Sequence, residues 1–475
     1  INGVVYTTAN GLVIDASGNW SIDLTGTTLA DGTYPVSATV TDLAGNSKTV
    51  TQDVVIDTKI DQDGDGNTVA ITSITDDTGA SGSDFITNDN TLVFNGTVDL
   101  GDNSTLAVTI NGVVYTTANG LVIDASGNWS IDLTGTTLAD GTYPVSATVT
   151  DLAGNSKTVT QDVVIDTKID QDGDGNTVAI TSITDDTGAS GSDFITNDNT
   201  LVFNGTVDLG DNSTLAVTIN GVVYTTANGL VIDASGNWSI DLTGTTLADG
   251  TYPVSATVTD LAGNSKTVTQ DVVIDTKIDQ DGDGNTVAIT SITDDTGASG
   301  SDFITNDNTL VFNGTVDLGD NSTLAVTING VVYTTANGLV IDASGNWSID
   351  LTGTTLADGT YPVSATVTDL AGNSKTVTQD VVIDTKIDQD GDGNTVAITS
   401  ITDDTGASGS DFITNDNTLV FNGTVDLGDN STLAVTINGV VYTTANGLVI
   451  DASGNWSIDL TGTTLADGTY PVSAT

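Results

Sequence analysis

The chain contains no cysteine, histidine, methionine, glutamate or arginine. Without cysteine there is no disulfide staple and no thiolate chemistry. The further loss of histidine, glutamate and arginine removes most side chains that move protons or bind anions at neutral pH. Only Asp pairs, Ser and Lys remain as catalytic candidates. Asp pairs serve as acid and base in some hydrolases, but here the acid-rich stretches lie in turns with metal-like spacing, and no enzyme is expected. Positive charge is nearly missing too: 8 Lys stand against 63 Asp in 475 residues, a net charge of −55. Such a surface repels nucleic acid and anionic membranes. No apolar run approaches the ~20 residues of a membrane-spanning helix, so no membrane insertion of this segment is expected, and no secretory leader opens the chain. Aromatic residues make up only 5%, too few to suggest clustered platforms for sugar stacking.

What is present is repetition. Ile1-Asn2-Gly3-Val4-Val5-Tyr6 returns at Ile110, Ile219, Ile328 and Ile437, and the copies, 109 residues apart, carry no substitution. That period is a whole small domain rather than the 20–50-residue repeat of a solenoid. Complete copies are expected at 58–166, 167–275 and 276–384. Residues 1–57 lack the first strands, and residues 385–475 stop inside the penultimate one. Both partial copies are expected to be weak alone, with open sheet edges. Beginning and stopping inside the repeat is what an internal slice of a longer protein would do.

Each copy reads as all-β. Apolar content is 37% and alternates with polar residues, which argues for folded domains rather than an acidic disordered tail. Thr142–Thr150, Trp129–Thr134 and Leu106–Ile110 alternate with period two, and Val, Ile and Thr dominate, as half-buried strands prefer. Val69–Thr75, Thr91–Val98, Val113–Thr116 and Ser156–Ile165 complete seven or eight strands. Asn111-Gly112 between two apolar runs signals a two-residue hairpin. Strand number and length match an immunoglobulin-like β-sandwich. Leu138-Ala139-Asp140-Gly141-Thr142-Tyr143 resembles a tyrosine corner, and Trp129 is expected in the core rather than on a ligand.

The carboxylates are spaced for calcium. Asp61, Asp63 and Asp65 in Asp-Gln-Asp-Gly-Asp-Gly-Asn occupy positions 1, 3 and 5 of an EF-hand-like loop, with Gly66 at position 6. Thr72 stands where the bidentate Glu would be and no helices flank the loop, so other groups must complete the shell. The copies are Asp170, Asp172, Asp174; Asp279, Asp281, Asp283; and Asp388, Asp390, Asp392. Sandwich topology puts Asp76, Asp77, Asp84, Asp89, Asp140 and Asp166 at one pole, facing the acidic loops of the next copy (Asp208, Asp211, Asp260) and its linker. The second candidate cage is Asp76, Asp77 and Asp84, repeated as Asp185, Asp186, Asp193; Asp294, Asp295, Asp302; and Asp403, Asp404, Asp411. Linker acids Asp57, Asp166, Asp275 and Asp384, and the loop acids Asp151, Asp260 and Asp369, are candidates at the junctions. The competing reading is a solvated acidic linker, or Asx turns and caps. An extracellular calcium site with Kd near 10⁻⁴–10⁻³ M, held tenfold above Kd, contributes roughly 1.4 kcal/mol, a sizeable part of the ~5–15 kcal/mol that holds a domain folded.

These motifs, together with Val-Val-Ile-Asp-Thr at 163–167, Ser-Asp-Phe-Ile-Thr-Asn-Asp at 192–198, Gly-Asn-Trp at 236–238 and Thr-Asp-Leu-Ala-Gly-Asn at 259–264, resemble bacterial Ig-like extender repeats of giant RTX adhesins. The resemblance covers every copy. It implies a string of β-sandwiches with Ca²⁺ at the linkers, on the bacterial cell surface, anchored through another part of the protein. It further implies a spacer that holds distal ligand-binding domains away from the cell. Tandem Gly-Gly-x-Gly-x-Asp nonapeptides are missing, so this is not a calcium β-roll. The alternative function is a repeated binding module for glycan, ice or homophilic contact. Regular Thr ladders of the kind ice binding uses are not supplied by a 109-residue period.

Overall fold

The structure, a computed structural model, describes all residues except 62, 63, 65, 67, 102, 103, 171, 174, 176, 211, 212, 280, 281, 283, 285, 320, 321, 389, 390, 392, 394, 427, 429 and 430. The chain divides into two compact units, Ile1–Asp275 and Thr276–Thr475. Among the described residues every regular element is a strand.

The copy 58–166, in the first unit, carries nine strands: β1 (Val69–Ile74), β2 (Ile86–Thr87), β3 (Val93–Val98), β4 (Thr105–Ile110), β5 (Val113–Tyr115), β6 (Leu121–Ile123), β7 (Asn128–Asp132), β8 (Gly141–Thr150) and β9 (Ser156–Ile165). They form a four-stranded sheet in the order β6-β7-β3-β1 and a five-stranded sheet in the order β2-β9-β8-β4-β5. All pairings are antiparallel except β2 on β9, where Ile86 and Thr87 lie beside Val164 and Ile165. The sequence reading missed β2 and β6. Two and three residues are too few to show a period, and their pairing is decided by tertiary neighbours.

Alternation sets the core. Val145, Ala147 and Val149 on β8 point inward and are essentially inaccessible, against Phe94, Val108, Ile131 and Val163. Trp129 is 1% exposed and lies opposite Gly96 on β3. A Cβ on Gly96 would sit 2.3 Å from the indole, so only glycine leaves the ring room. The indole N–H is satisfied by donating to Ala70 O and Thr97 O, as a buried Trp requires. The β4–β5 turn has Asn111 at φ 46° and Gly112 at φ 83°, both in the left-handed region that a type I′ hairpin needs. Tyr143 closes the expected corner, its hydroxyl donating to Ala139 O at 2.9 Å.

Copy 167–275 repeats this fold within the first unit, and copy 276–384 repeats it in the second. Residues 1–57 form two two-stranded pieces, and Trp20 is left 50% exposed. Residues 385–475 keep a four- and a three-stranded sheet around a buried Trp456.

Candidate cation sites at the poles of the repeat

One pole of copy 58–166 gathers the turn after β1, the β7–β8 loop and the end of β9. Backbone bonds tie these together: Asp166 N–H donates to Thr87 O, and Leu138 N–H to Asn90 O. The acids expected here are therefore neighbours, but they do different things. Asp140 accepts from Thr167 N–H and Oγ1 and pairs with Lys168 Nζ at 3.2 Å. The Thr167 hydroxyl, ahead of Lys168, pulls its pKa below the usual Asp range. Asp89 accepts from the amide and hydroxyl of Thr91. These two carboxylates are engaged in fixing turns.

Asp77 and Asp84 differ. Asp77 Oδ2 accepts from Phe85 N–H at 3.1 Å, which brings Asp77 beside Asp84, while Asp84 Oδ1 accepts from Ile86 N–H. Asp77 Oδ1 is buried and, among the described residues, has no hydrogen-bond partner. Burial, and then the adjacent Asp84 charge, push the Asp77 pKa up. Asp186, beside Asp193, is raised for the same reasons. Oδ1 of Asp186, Asp295 and Asp404 is orphaned in the same way. The bonds from Phe194, Phe303 and Phe412 N–H place these acids next to Asp193, Asp302 and Asp411. A buried carboxylate oxygen next to a second carboxylate suits a hard cation. Asp76, Asp185, Asp294 and Asp403 enter this turn through the backbone. Each has φ near +50°, and each main-chain oxygen accepts from a Thr hydroxyl.

At the start of the expected calcium loop, Asp61 accepts from Gly64 and Gly66 N–H. Asp170, Asp279 and Asp388 repeat this on their own glycines. Asp172 is exposed. Asp63, Asp65, Asp174, Asp281, Asp283, Asp390 and Asp392, and pole residue Asp211, lie outside the described residues. Among the described residues no three acids close into a metal-sized group.

The remaining junction acids are dispersed. Asp57, Asp166 and Asp384 accept from the amides of Lys59, Lys168 and Lys386. Asp275 is buried. Asp208 holds Gly210 N–H. Asp151, Asp260 and Asp369 are buried and close their own β8–β9 loops by accepting from Asn155, Asn264 and Asn373. Asn264 also donates to Asp166 O of the preceding copy at 2.8 Å, a contact that no sequence signal announced.

Two layered sheets, a corner tyrosine and a buried tryptophan define an immunoglobulin-like sandwich. The family model for the bacterial Ig-like domain matches residues 2–58, 67–167, 176–276, 285–385 and 394–475. The chain belongs to that family, and the resemblance carried by the motifs is borne out. Among solved structures, the chain is similar to a Ca²⁺-stabilized adhesin that helps an Antarctic bacterium reach out and bind ice. There the identity is 29% over 86% of this chain and 97% of that one, with a TM-score of 0.27. A structure concerning host cell surface retention of a 1.5-MDa bacterial ice-binding adhesin shares 28% identity over 66% and 96%, with a TM-score of 0.26. A tetra-tandem repeat from the extending region of a large adhesion protein shares 23% identity over 82% and 92%, with a TM-score of 0.25. No curated protein matches.

Proposed function

We propose that this chain is a calcium-stiffened structural spacer of a large bacterial surface adhesin. One sandwich per 109-residue copy adds reach without adding chemistry, and distal domains of the longer protein do the binding. The observation that carries this reading is Asp77 Oδ1, with its copies at Asp186, Asp295 and Asp404: buried, without a donor among the described residues and, as Asp77 beside Asp84, pushed up in pKa. An oxygen of this kind beside a second carboxylate calls for a partner, and a cation is the one that also offsets the paired charges. Calcium would supply charge neutralisation and oxygen coordination. Asp77 and Asp84 would hold it at the turn, and the loop opening at Asp61 would hold another at the linker. At −55 net charge, neutralising the poles also relieves repulsion between successive copies. Millimolar calcium outside the cell suits a weak site of this kind, and the chain is read as extracellular and non-enzymatic.

Small-angle scattering of the whole chain in calcium and in chelator tests the spacer reading. Calcium should raise the maximum dimension and sharpen the flexibility profile. Superimposable curves in the two conditions overturn it.

A further inference from the structure

The turn after β1 takes two conformations in identical sequence. In copy 58–166, Gly79 has φ +88°. Thr78 Oγ1 donates to Ala262 O at 2.6 Å, and Ala80 N–H donates to Leu261 O at 3.3 Å. Both acceptors lie on the β8–β9 loop of the following copy. The fit is close: a Cβ on Gly79 would stand 1.9 Å from Leu261 O, and one on Gly263 would stand 2.9 Å from Gly79 N. In copy 276–384 the sequence holds no β8–β9 loop of a following copy; there the equivalent Gly297 leaves the left-handed region, and its N–H donates to Ile304 O of its own chain segment at 3.2 Å. Thr78 is half-buried and Thr296 is exposed.

The loop side does not change shape. Asp151–Asn155 and Asp260–Asn264 carry the same internal hydrogen bonds, from the Asn amide N–H and side chain to the Asp carboxylate. Asn155 donates to Asp57 O as Asn264 does to Asp166 O, but residues 1–57 do not include the turn that would receive Asp151–Asn155, so the tips of the two loops have different surroundings. Leu152 is 79% exposed and Ala153 is exposed, whereas Leu261 is half-buried and Ala262 is 1% exposed. A Cβ on Gly154 would meet nothing within 4 Å. The loop is thus a preformed key, and the turn adapts to it.

We propose that the turn at 75–79 is a two-state receptor for the β8–β9 loop of the next copy, with Gly79 as its hinge. Docked, the hinge enters the left-handed region and offers its bare α-carbon to Leu261 O; undocked, it folds back on its own strand as Gly297 does. Glycine is required because only glycine visits both states freely and admits the carbonyl. Every group in this contact is a carbonyl, amide, hydroxyl or α-carbon. The contact itself therefore needs no cation, although Asp76 and Asp77 stand in the same turn. It rests on different atoms from the calcium reading above, which predicts a further narrowing of the joint when calcium is added.

The chain has no cysteine, so Ser126→Cys and Ser235→Cys, both exposed, admit one spin label in each of the two copies. Pulsed dipolar spectroscopy on the full chain in chelator reads the joint directly. The unsubstituted joint should give a narrow distance distribution. Gly79→Ala should at least double its width, and Gly297→Ala should leave it unchanged. Circular dichroism confirms folding. If Gly79→Ala unfolds its copy, Gly263→Ala against Gly154→Ala makes the same comparison, since both glycines sit at φ +93° and only the first meets a neighbour. A Gly79→Ala distribution as narrow as the parent, or a parent in chelator already as broad as Gly79→Ala, overturns the proposal. The calcium reading fails separately, on scattering curves that ignore calcium.

Discussion

Changing Asp77, Asp186, Asp295 and Asp404 together to asparagine keeps the shape of the turn and removes its buried charge. The Oδ atom that accepts from Phe85 N–H is retained, and the new amide can donate to Asp84. In chelator the parent carries an oxygen with no donor among the described residues, and an unsatisfied buried polar group costs ~1–3 kcal/mol. Asp77 is only half-buried, so water screens part of this and the low end, about 1 kcal/mol, applies. At roughly 4–8 °C per kcal/mol for a domain of about this size, the variant should melt about 4 °C higher than the parent in chelator. In calcium the order reverses. A site held tenfold above its Kd adds roughly 1.4 kcal/mol to the parent, or about 6 °C, and the variant should lose most of that rise. Scanning calorimetry in both conditions is the assay. A variant that melts lower than the parent in chelator, or that keeps the full calcium response, refutes the reasoning. The pH dependence has a definite sign. Because the folded Asp77 pKa is raised, the native state holds the proton more tightly. In chelator this group's contribution is most favourable below the ordinary Asp pKa and declines as pH rises through the raised one; bound calcium should abolish that decline.

Three further outcomes follow from the packing and the turns. Gly96→Ala drives a Cβ to 2.1 Å from Ala70 O and 2.3 Å from the Trp129 ring, so urea unfolding of that copy should show a loss of ~3–5 kcal/mol, the scale of vacating an aromatic core site. Gly112→Ala, at φ +83° with open space around it, should cost only about 1–2 kcal/mol, and equal losses would contradict the described core. Tyr143→Phe removes the hydroxyl bond to Ala139 O and should lower stability by about 1 kcal/mol; an unchanged urea midpoint contradicts the corner. Asp124 should titrate below the usual Asp range by NMR, because Asn128, side chain and then backbone, donates to it. Its contribution to stability is present above the ordinary Asp pKa and is lost as pH falls through the depressed one. Asn128→Ala should return the titration toward the ordinary value, and an unmoved midpoint would show that another group holds it.

Much of the fold was legible because β8 and β9 obey period two over ten residues and Asn111-Gly112 carries its own turn chemistry. Ile86–Thr87 and Leu121–Ile123 were not, since they are strands only by virtue of the neighbours they meet. At the poles, the acid-rich turns could be read but not their division of labour. Asp15, Asp42, Asp124, Asp151 and Asp260 all open an Asp-x-x-Gly-Asn stretch in which the Asp accepts from the Asn four residues on, a local signal present in the sequence. The pairing of Asp77 with Asp84 passes through the Phe85 amide and a loop of tertiary origin, which spacing does not encode. The two states of Gly79 and Gly297 are not written in the turn itself, whose sequence is the same; they depend on whether the loop of a following copy is there to dock.

The most direct measurement is anomalous scattering, at a wavelength chosen for calcium, from crystals of the chain grown in millimolar calcium. The account predicts a peak in each copy within ~2.3–2.6 Å of Asp77 Oδ1 and the Asp84 carboxylate, and of their counterparts Asp186 with Asp193 and Asp295 with Asp302. Well-ordered carboxylates at these turns with no calcium peak between them would contradict it.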